Sequence, residues 1–192
     1  MIVILHNPIN RLFLQFKHLV RTRKKYCRMT FEKYIEKDIE ELSKLKLISK
    51  VGSDIDTHND TAWEEYIDGK KFVDKELHLN ISVARGLYYL QLRQWFKYFP
   101  KSSFLVLNFD EMVSKDGYQS MYNKATKFLG LNNTQRQSSS EVKKYQNPDI
   151  KMNDDTKKML YDLYAPHNRE LSTLLGDEWD GVWEYKDQIQ TS

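Results

Sequence analysis

Ile2-Val3-Ile4-Leu5-His6-Asn7-Pro8-Ile9-Asn10-Arg11 is the stretch on which the fold turns. Its first four residues are apolar and mostly β-branched, the composition of a buried strand. Asn7 is a good helix N-cap, and Pro8 suits the first helical position. Leu12, Phe13, Phe16, Leu19 and Val20 then recur at helical spacing. Strand, tight turn and helix follow one another with no room for a longer loop. A helix start offers unpaired N–H groups and the positive end of a dipole, so it favours an anion, here with Arg11 and His6 beside it. Arg11 could add a bidentate grip on phosphate. An ordinary strand–helix connection with a surface arginine has the same pattern, and both readings stay open at this level.

Outward from that junction, Lys17, Arg21, Arg23, Lys24, Lys25 and Arg28 form a basic run with no acid among them. Such a run is either a solvated helix face or a surface that attracts a polyanion. His18 lies within it, a residue type that serves most often as general base and more often still as plain structure. A second helix is expected from Thr30, with Phe31, Tyr34, Ile35, Ile39, Leu42 and Leu45 on one stripe. Residues 49–80 read as an irregular excursion with one short helix around Trp63. From Gly86, the positions Tyr88, Leu92, Trp95, Phe96 and Phe99 give an amphipathic helix, and Pro100 ends it. Phe104-Leu105-Val106-Leu107 is a second short buried strand. A helix-rich segment closes at Phe128-Leu129-Gly130, and a polar loop with Lys143 and Lys144 follows. Asn153 or Asp154 caps a last helical region that runs to Leu175, with a break expected at Pro166.

Strands alternating with helices predict an α/β domain with a parallel sheet. Two strands are too few for a free-standing sheet of that kind, so further sheet is expected.

The chain has 192 residues, 40% hydrophobic and 30% charged, which suits one domain over residues 1–192 and excludes a disordered or collagen-like polymer. Cys27 is alone, so neither an intrachain disulfide nor a thiolate metal site can form. The five histidines show no HxxxH or HExxH spacing, and no metal is expected. Thirty basic against 27 acidic residues leave a net charge of +3, which does not call for nucleic acid. The apolar run Met1 to Leu5 is far too short for a membrane span. No GxxxxGK[ST], GxGxxG or GxSxG motif occurs.

Taken together and in order, the segments resemble the C-terminal two-thirds of a sulfotransferase domain, the family that uses 3′-phosphoadenylyl sulfate (PAPS) as donor. Ile2 to Arg11 resembles the family's strand-loop-helix with its NPxxR motif. Thr30-Phe31-Glu32-Lys33-Tyr34-Ile35 resembles an FEEYI-like helix start. Arg85-Gly86-Leu87-Tyr88 with Trp95 and Phe99-Pro100 resembles the GxYxxxLxxWxxxFP helix. Phe104 to Met112 resembles the strand that follows, and Phe128-Leu129-Gly130-Leu131 its FLGL helix end. Tyr161 to Leu175, with Trp183 shortly after, resembles the family's close. The likeness is nearest to the heparan-sulfate type of Golgi enzyme and its microbial relatives.

The resemblance implies a P-loop-like three-layer fold, a parallel sheet flanked by helices. It implies transfer of a sulfuryl group from PAPS to a hydroxyl or amine of a carbohydrate acceptor, with the nucleotide bisphosphate PAP as product. Arg11, His6 and Asn7 would bind the donor's 3′-phosphate. Lys143 and Lys144 would face the nucleotide, and Gly86 and Tyr88 would close near it. His18 is the candidate base, standing four residues after Leu14 as a family histidine stands after the motif serine. Arg21, Arg23, Lys24 and Lys25 would meet an acidic polysaccharide. A Golgi lumen is implied for a eukaryotic parent. The alternative is a non-catalytic module that binds polyanions through residues 17–28.

Four departures qualify the likeness. Leu14 replaces the serine whose hydroxyl binds the 3′-phosphate, which should weaken donor binding by roughly 1.5–3 kcal/mol, or about tenfold or more. His6 stands where many members have Arg, and the disulfide-linked loop of the heparan N-sulfotransferases has no counterpart. The family's first strand, its 5′-phosphosulfate loop and its catalytic Lys would precede Ile2, so a truncated or degenerate form is expected.

Overall fold

Asn7 organises the first element pair. In the computed structural model, which describes residues 1–51, 54–56, 60–67, 81–112, 117–131 and 150–184, strand β1 (Ile2–Leu5) runs directly into helix α1 (Pro8–Thr22). The Asn7 side chain caps that helix by accepting from Ile9 N at 3.0 Å and Asn10 N at 3.2 Å. Thr30 caps α2 (Phe31–Lys44) in the same way, through Lys33 N. The N-terminal strand, cap and both helices thus lie where the sequence predicts them.

Helix α1 buries Ile9, Leu12 and Phe16, and α2 answers with Phe31, Tyr34, Ile35, Ile39 and Leu42. The Phe16 ring meets those of Phe31 and Tyr34 at 5.4 and 5.2 Å. Each such side chain, fully buried, contributes roughly 1.5–3 kcal/mol. One core cluster joins these residues to Trp63, Val83, Leu87, Leu160, Leu163 and Tyr164. A second gathers Leu5, Tyr88, Leu92, Leu171 and Trp179.

The described residues between 49 and 67 are more regular than the irregular excursion expected there, and residues 68–80 of that stretch lie outside the described residues. Strands β2 (Ser49–Val51) and β3 (Asp54–Asp56) pair antiparallel, and α3 (Asp60–Ile67) carries Trp63. A 3₁₀ turn, Ala84–Gly86, leads into α4 (Tyr88–Tyr98). Then come β4 (Leu105–Asn108), the short α5 (Phe109–Met112) and α6 (Gly117–Phe128). β4 lies parallel to β1 in the register Ile2↔Leu105 to Leu5↔Asn108.

The described residues are therefore mainly helical around a two-stranded parallel sheet, broadly an α/β arrangement. The strands are less buried than their apolar sequences predict. Leu5 and Leu107 are buried, but Ile4 is 54% exposed. A parallel strand is covered only where helices pack on both faces; Val3 and Leu5 meet the second core cluster, while Ile4 points to the opposite face.

The expected break at Pro166 does not occur. Helix α7 runs unbroken from Asp154 to Leu175 behind an Asn153 cap. Proline removes one hydrogen bond and crowds the preceding turn. Here buried side chains hold the helix on both sides of it, Leu160, Leu163 and Tyr164 before and His167 and Leu171 after. No described helix is long and apolar enough to cross a membrane.

Candidate functional site

The β1–α1 junction already holds a carboxylate. Asp110, in the short α5 just beyond β4, accepts the Asn7 backbone N–H at 2.9 Å and the Trp183 indole N–H at 2.8 Å, both on Oδ2. Its Oδ1 lies 3.2 Å from His6 Nε2. The remaining donors of the first turn are also engaged: Ile9 and Asn10 by the Asn7 side chain, Arg11 N by Asn7 O at 2.9 Å. The positive end of α1 is thus met by the protein's own groups. His6 packs against Phe109 at 4.7 Å, and burial, ahead of the opposing pull of Asp110, lowers its pKa and favours the neutral ring.

Arg11 turns away from that cap into a polar ring. Its Nη1 donates to Gln15 Oε1 at 2.8 Å and its Nη2 to the Ser82 carbonyl at 2.6 Å. Gln15 Nε2 closes the ring on Ser82 Oγ at 3.0 Å, and the Tyr34 hydroxyl shares the same Oγ. Arg11 Nε is buried with no hydrogen-bond partner. An orphaned guanidinium N–H of this kind calls for an acceptor.

Asp38 lies behind Ser82. Its Oδ2 accepts from Ser82 N at 2.6 Å and Val83 N at 3.0 Å. Only 7% of the residue is exposed. Burial pushes its pKa up to about 6 against the downward pull of those two N–H groups, Arg85 and Arg11. The Tyr34 hydroxyl, also raised by burial, stays protonated with a pKa of about 12.

Gly86 and Tyr88 frame the same turn. A Cβ on Gly86 would stand 2.8 Å from the Tyr164 ring and 2.9 Å from Pro8 Cβ, so only glycine lets the 84–86 turn lie against the start of α1. Tyr88 donates its hydroxyl to the His6 carbonyl at 2.9 Å, and Tyr164 donates to the Val83 carbonyl at 2.8 Å. Trp183 reaches Asp110 from a left-handed backbone, φ 66°, and packs against Tyr88 and Trp179 at 5.8 and 5.6 Å.

The structure therefore brings His6, Asn7, Arg11, Gly86 and Tyr88 together. The other candidates stand apart. His18 is exposed on α1, with Nδ1 3.3 Å from Arg21 Nη2. Arg21, Arg23, Lys24 and Lys25 are exposed along the end of α1 and the following turn. Leu14 is 45% exposed, and its neighbour Gln15 holds Arg11. Lys143 and Lys144 lie outside the described residues. Among the described residues no group of three or more His, Cys, Asp or Glu side chains could hold a metal ion.

A donor 3′-phosphate fits this chain in part. Arg11 has a buried N–H to give it, while the space beside Gly86 is filled by the Tyr164 ring and Pro8. The amides of the helix start are already engaged, and Asp110 adds a negative charge beside them.

Sequence reasoning missed Asp38, Ser82, Gln15 and Asp110. Two signals were present. Asp38 interrupts the apolar stripe of α2 four residues after Tyr34 and four before Leu42, so it had to point inward. Gln15 follows Arg11 at helical i,i+4 spacing. Ser82 and Asp110 carry no comparable mark. The chain matches no known family model, and no curated protein matches it at a significant level.

Proposed function

We propose that this chain is a sulfotransferase-type domain whose β1–α1 junction receives the 3′-phosphate side of PAPS. The observation that carries the reading is the buried, unpartnered Arg11 Nε, set in a ring with Gln15 and Ser82 where the segments bearing the resemblance converge. His6, Gly86, Tyr88, Asp110, Tyr164 and Trp183 come from five separate stretches of sequence and all touch that junction or its neighbours.

The donor, when bound, supplies an activated sulfuryl group. The chain's own part follows from its side chains. Arg11 donates Nε–H to a phosphate oxygen while Gln15 and Ser82 keep its other nitrogens fixed. Tyr88 holds the His6 carbonyl and so the entry to α1. The exposed Arg21, Arg23, Lys24 and Lys25 draw an acidic saccharide to the C-terminal end of α1, about 20 Å along the helix from the junction. His18 sits on that surface as the group to accept the acceptor's proton. A three-layer fold with helices on both faces of a longer parallel sheet belongs to this reading.

Calorimetric titration with adenosine 3′,5′-bisphosphate tests it. Micromolar binding by the 192-residue chain, weakened at least tenfold by Arg11→Glu, is the expected result. No binding, or binding indifferent to Arg11→Glu, overturns it.

One observation favours a second reading, a polyanion-binding module without catalysis. Arg23, Lys24, Lys25 and Arg28 are exposed, and among the described residues no carboxylate pairs with them. Heparin binding without any bisphosphate binding would select it.

A further inference from the structure

Asp38 and Arg11 stand at opposite ends of one peptide unit. The Ser82–Val83 peptide gives its N–H to Asp38 Oδ2 at 3.0 Å and offers its C=O to Arg11 Nη2 at 2.6 Å. A trans peptide is planar, and its N–H and C=O point in opposite directions. A carboxylate therefore pulls one end of this dipole and a guanidinium the other. Both hydrogen bonds are charge-assisted, and each polarises the group that makes the other stronger. Ser82 N–H adds a second bond to the same carboxylate oxygen at 2.6 Å. The Ser82 side chain is fixed independently by Gln15 and Tyr34.

We propose that Asp38 is a positioning residue, which acts through the Ser82–Val83 peptide to set the orientation of the Arg11 guanidinium and so the direction in which Arg11 Nε–H points. Asp38 meets no ligand itself, since the peptide stands between it and Arg11. The identity of the anion at Arg11 rests on the sulfotransferase reading; the coupling of the two residues does not.

The arrangement differs from a plain helix-to-loop tie in what happens when the carboxylate loses its charge. A tie holds the turn in either state, because a neutral carboxyl still accepts. A polarised relay loosens at its far end, at Arg11. The groups that face Asp38 are Tyr34 on its own helix, Arg11 on α1, Arg85 on the 3₁₀ turn, Tyr66 on α3 and Tyr164 on α7. All three tyrosines are held protonated by burial, and the two arginines keep their charge. Near neutral pH the titrating member of the group is therefore Asp38, with a pKa of about 6.

The test is a ¹⁵N NMR titration of the 192-residue chain between pH 7.5 and pH 5, following Arg11 Nε and the Val83 amide. Both signals are expected to move with a common midpoint near 6. His6 also interacts with Arg11, so the step should persist in His6→Gln and vanish in Asp38→Asn. An Arg11 signal that stays flat in the wild-type chain, or a step that is lost in His6→Gln, overturns the proposal. The wild-type and His6→Gln titrations decide the matter even where Asp38→Asn fails to fold.

A binding arm separates this inference from the functional reading. With adenosine 3′,5′-bisphosphate at pH 7.5, Asp38→Asn should bind about tenfold more weakly, as expected when one charge-assisted contact is misdirected. Equal affinity in a folded Asp38→Asn overturns the positioning role. A wild-type chain that binds no bisphosphate overturns the donor reading, and the titration alone then decides the coupling.

Discussion

Asp110 Oδ2 sits 2.9 Å from the backbone nitrogen of Asn7, so a carboxylate carried on α5, just beyond β4, completes the cap of α1. The two residues are 103 apart in sequence and hold the ends of two parallel strands together. The same oxygen serves Trp183, whose left-handed backbone is tolerated because its indole is fixed there.

Asp110→Asn keeps an oxygen for Asn7 or Trp183 while removing a negative charge from the start of α1. Affinity for adenosine 3′,5′-bisphosphate is expected to rise, by about threefold to tenfold, in calorimetric titration. Asp110→Ala leaves two N–H donors without an acceptor and should cost about 1–3 kcal/mol of stability in denaturant unfolding. Unchanged affinity in the Asn variant would place the anion away from the α1 start.

Gly86→Ala puts a methyl group into the Tyr164 ring and Pro8, both of which lie under 3 Å from the new carbon. Neither neighbour is a flexible chain end. Overpacking of this order costs about 1–3 kcal/mol. Tyr164→Leu should rescue part of that loss in the double variant, and purely additive losses would contradict the contact.

Burial raises the pKa of Asp38 from its ordinary 3.8 to about 6. Between those values the folded protein holds a proton that the unfolded chain has released. The stability linked to this group is therefore full below about pH 4 and is lost as the pH rises through about 6, by up to about 3 kcal/mol. Wild type should gain stability relative to Asp38→Asn as the pH falls from 7 to 4. A difference that stays constant across that range would refute it. At pH 7 the charged Asp38 is thus a burden on stability, which fits a residue kept for what it does to Arg11.

Neutralising Arg23, Lys24 and Lys25 together should lower the salt concentration that elutes the chain from heparin, with little change in unfolding midpoint. These side chains are exposed, and surface charges of this kind contribute little to stability. Elution at unchanged salt would move the polyanion surface elsewhere.

Much of the fold could be read from the sequence where local chemistry is decisive. Asn7-Pro8 and Thr30 announce their helices because a capping oxygen acts within three residues. Pro166 misled, because tertiary contacts on both sides of it outweigh one lost hydrogen bond. The pairing of β2 with β3 is not legible, because strands of three residues are too short to show an alternating pattern. At the site, Arg11 and His6 were visible as charges beside a helix start. Their partners Ser82 and Asp110 were not, because Ser82 lies 71 residues from Arg11 and Asp110 lies 103 from Asn7, the neighbour of His6, and such contacts leave no period in the sequence.

The parallel pairing of β1 with β4 has a consequence for how the protein is made. Ile2 finds its partner in Leu105, and Asn7 finds Asp110, only after some hundred further residues have been added. At about 5–20 residues per second, translation leaves Ile2-Val3-Ile4-Leu5 without its partner β4 for roughly 5–20 s. An unpaired β-branched edge is a template for association with other chains. Newly synthesised chains should therefore need a chaperone on this segment, and faster emergence of β4 should reduce that dependence.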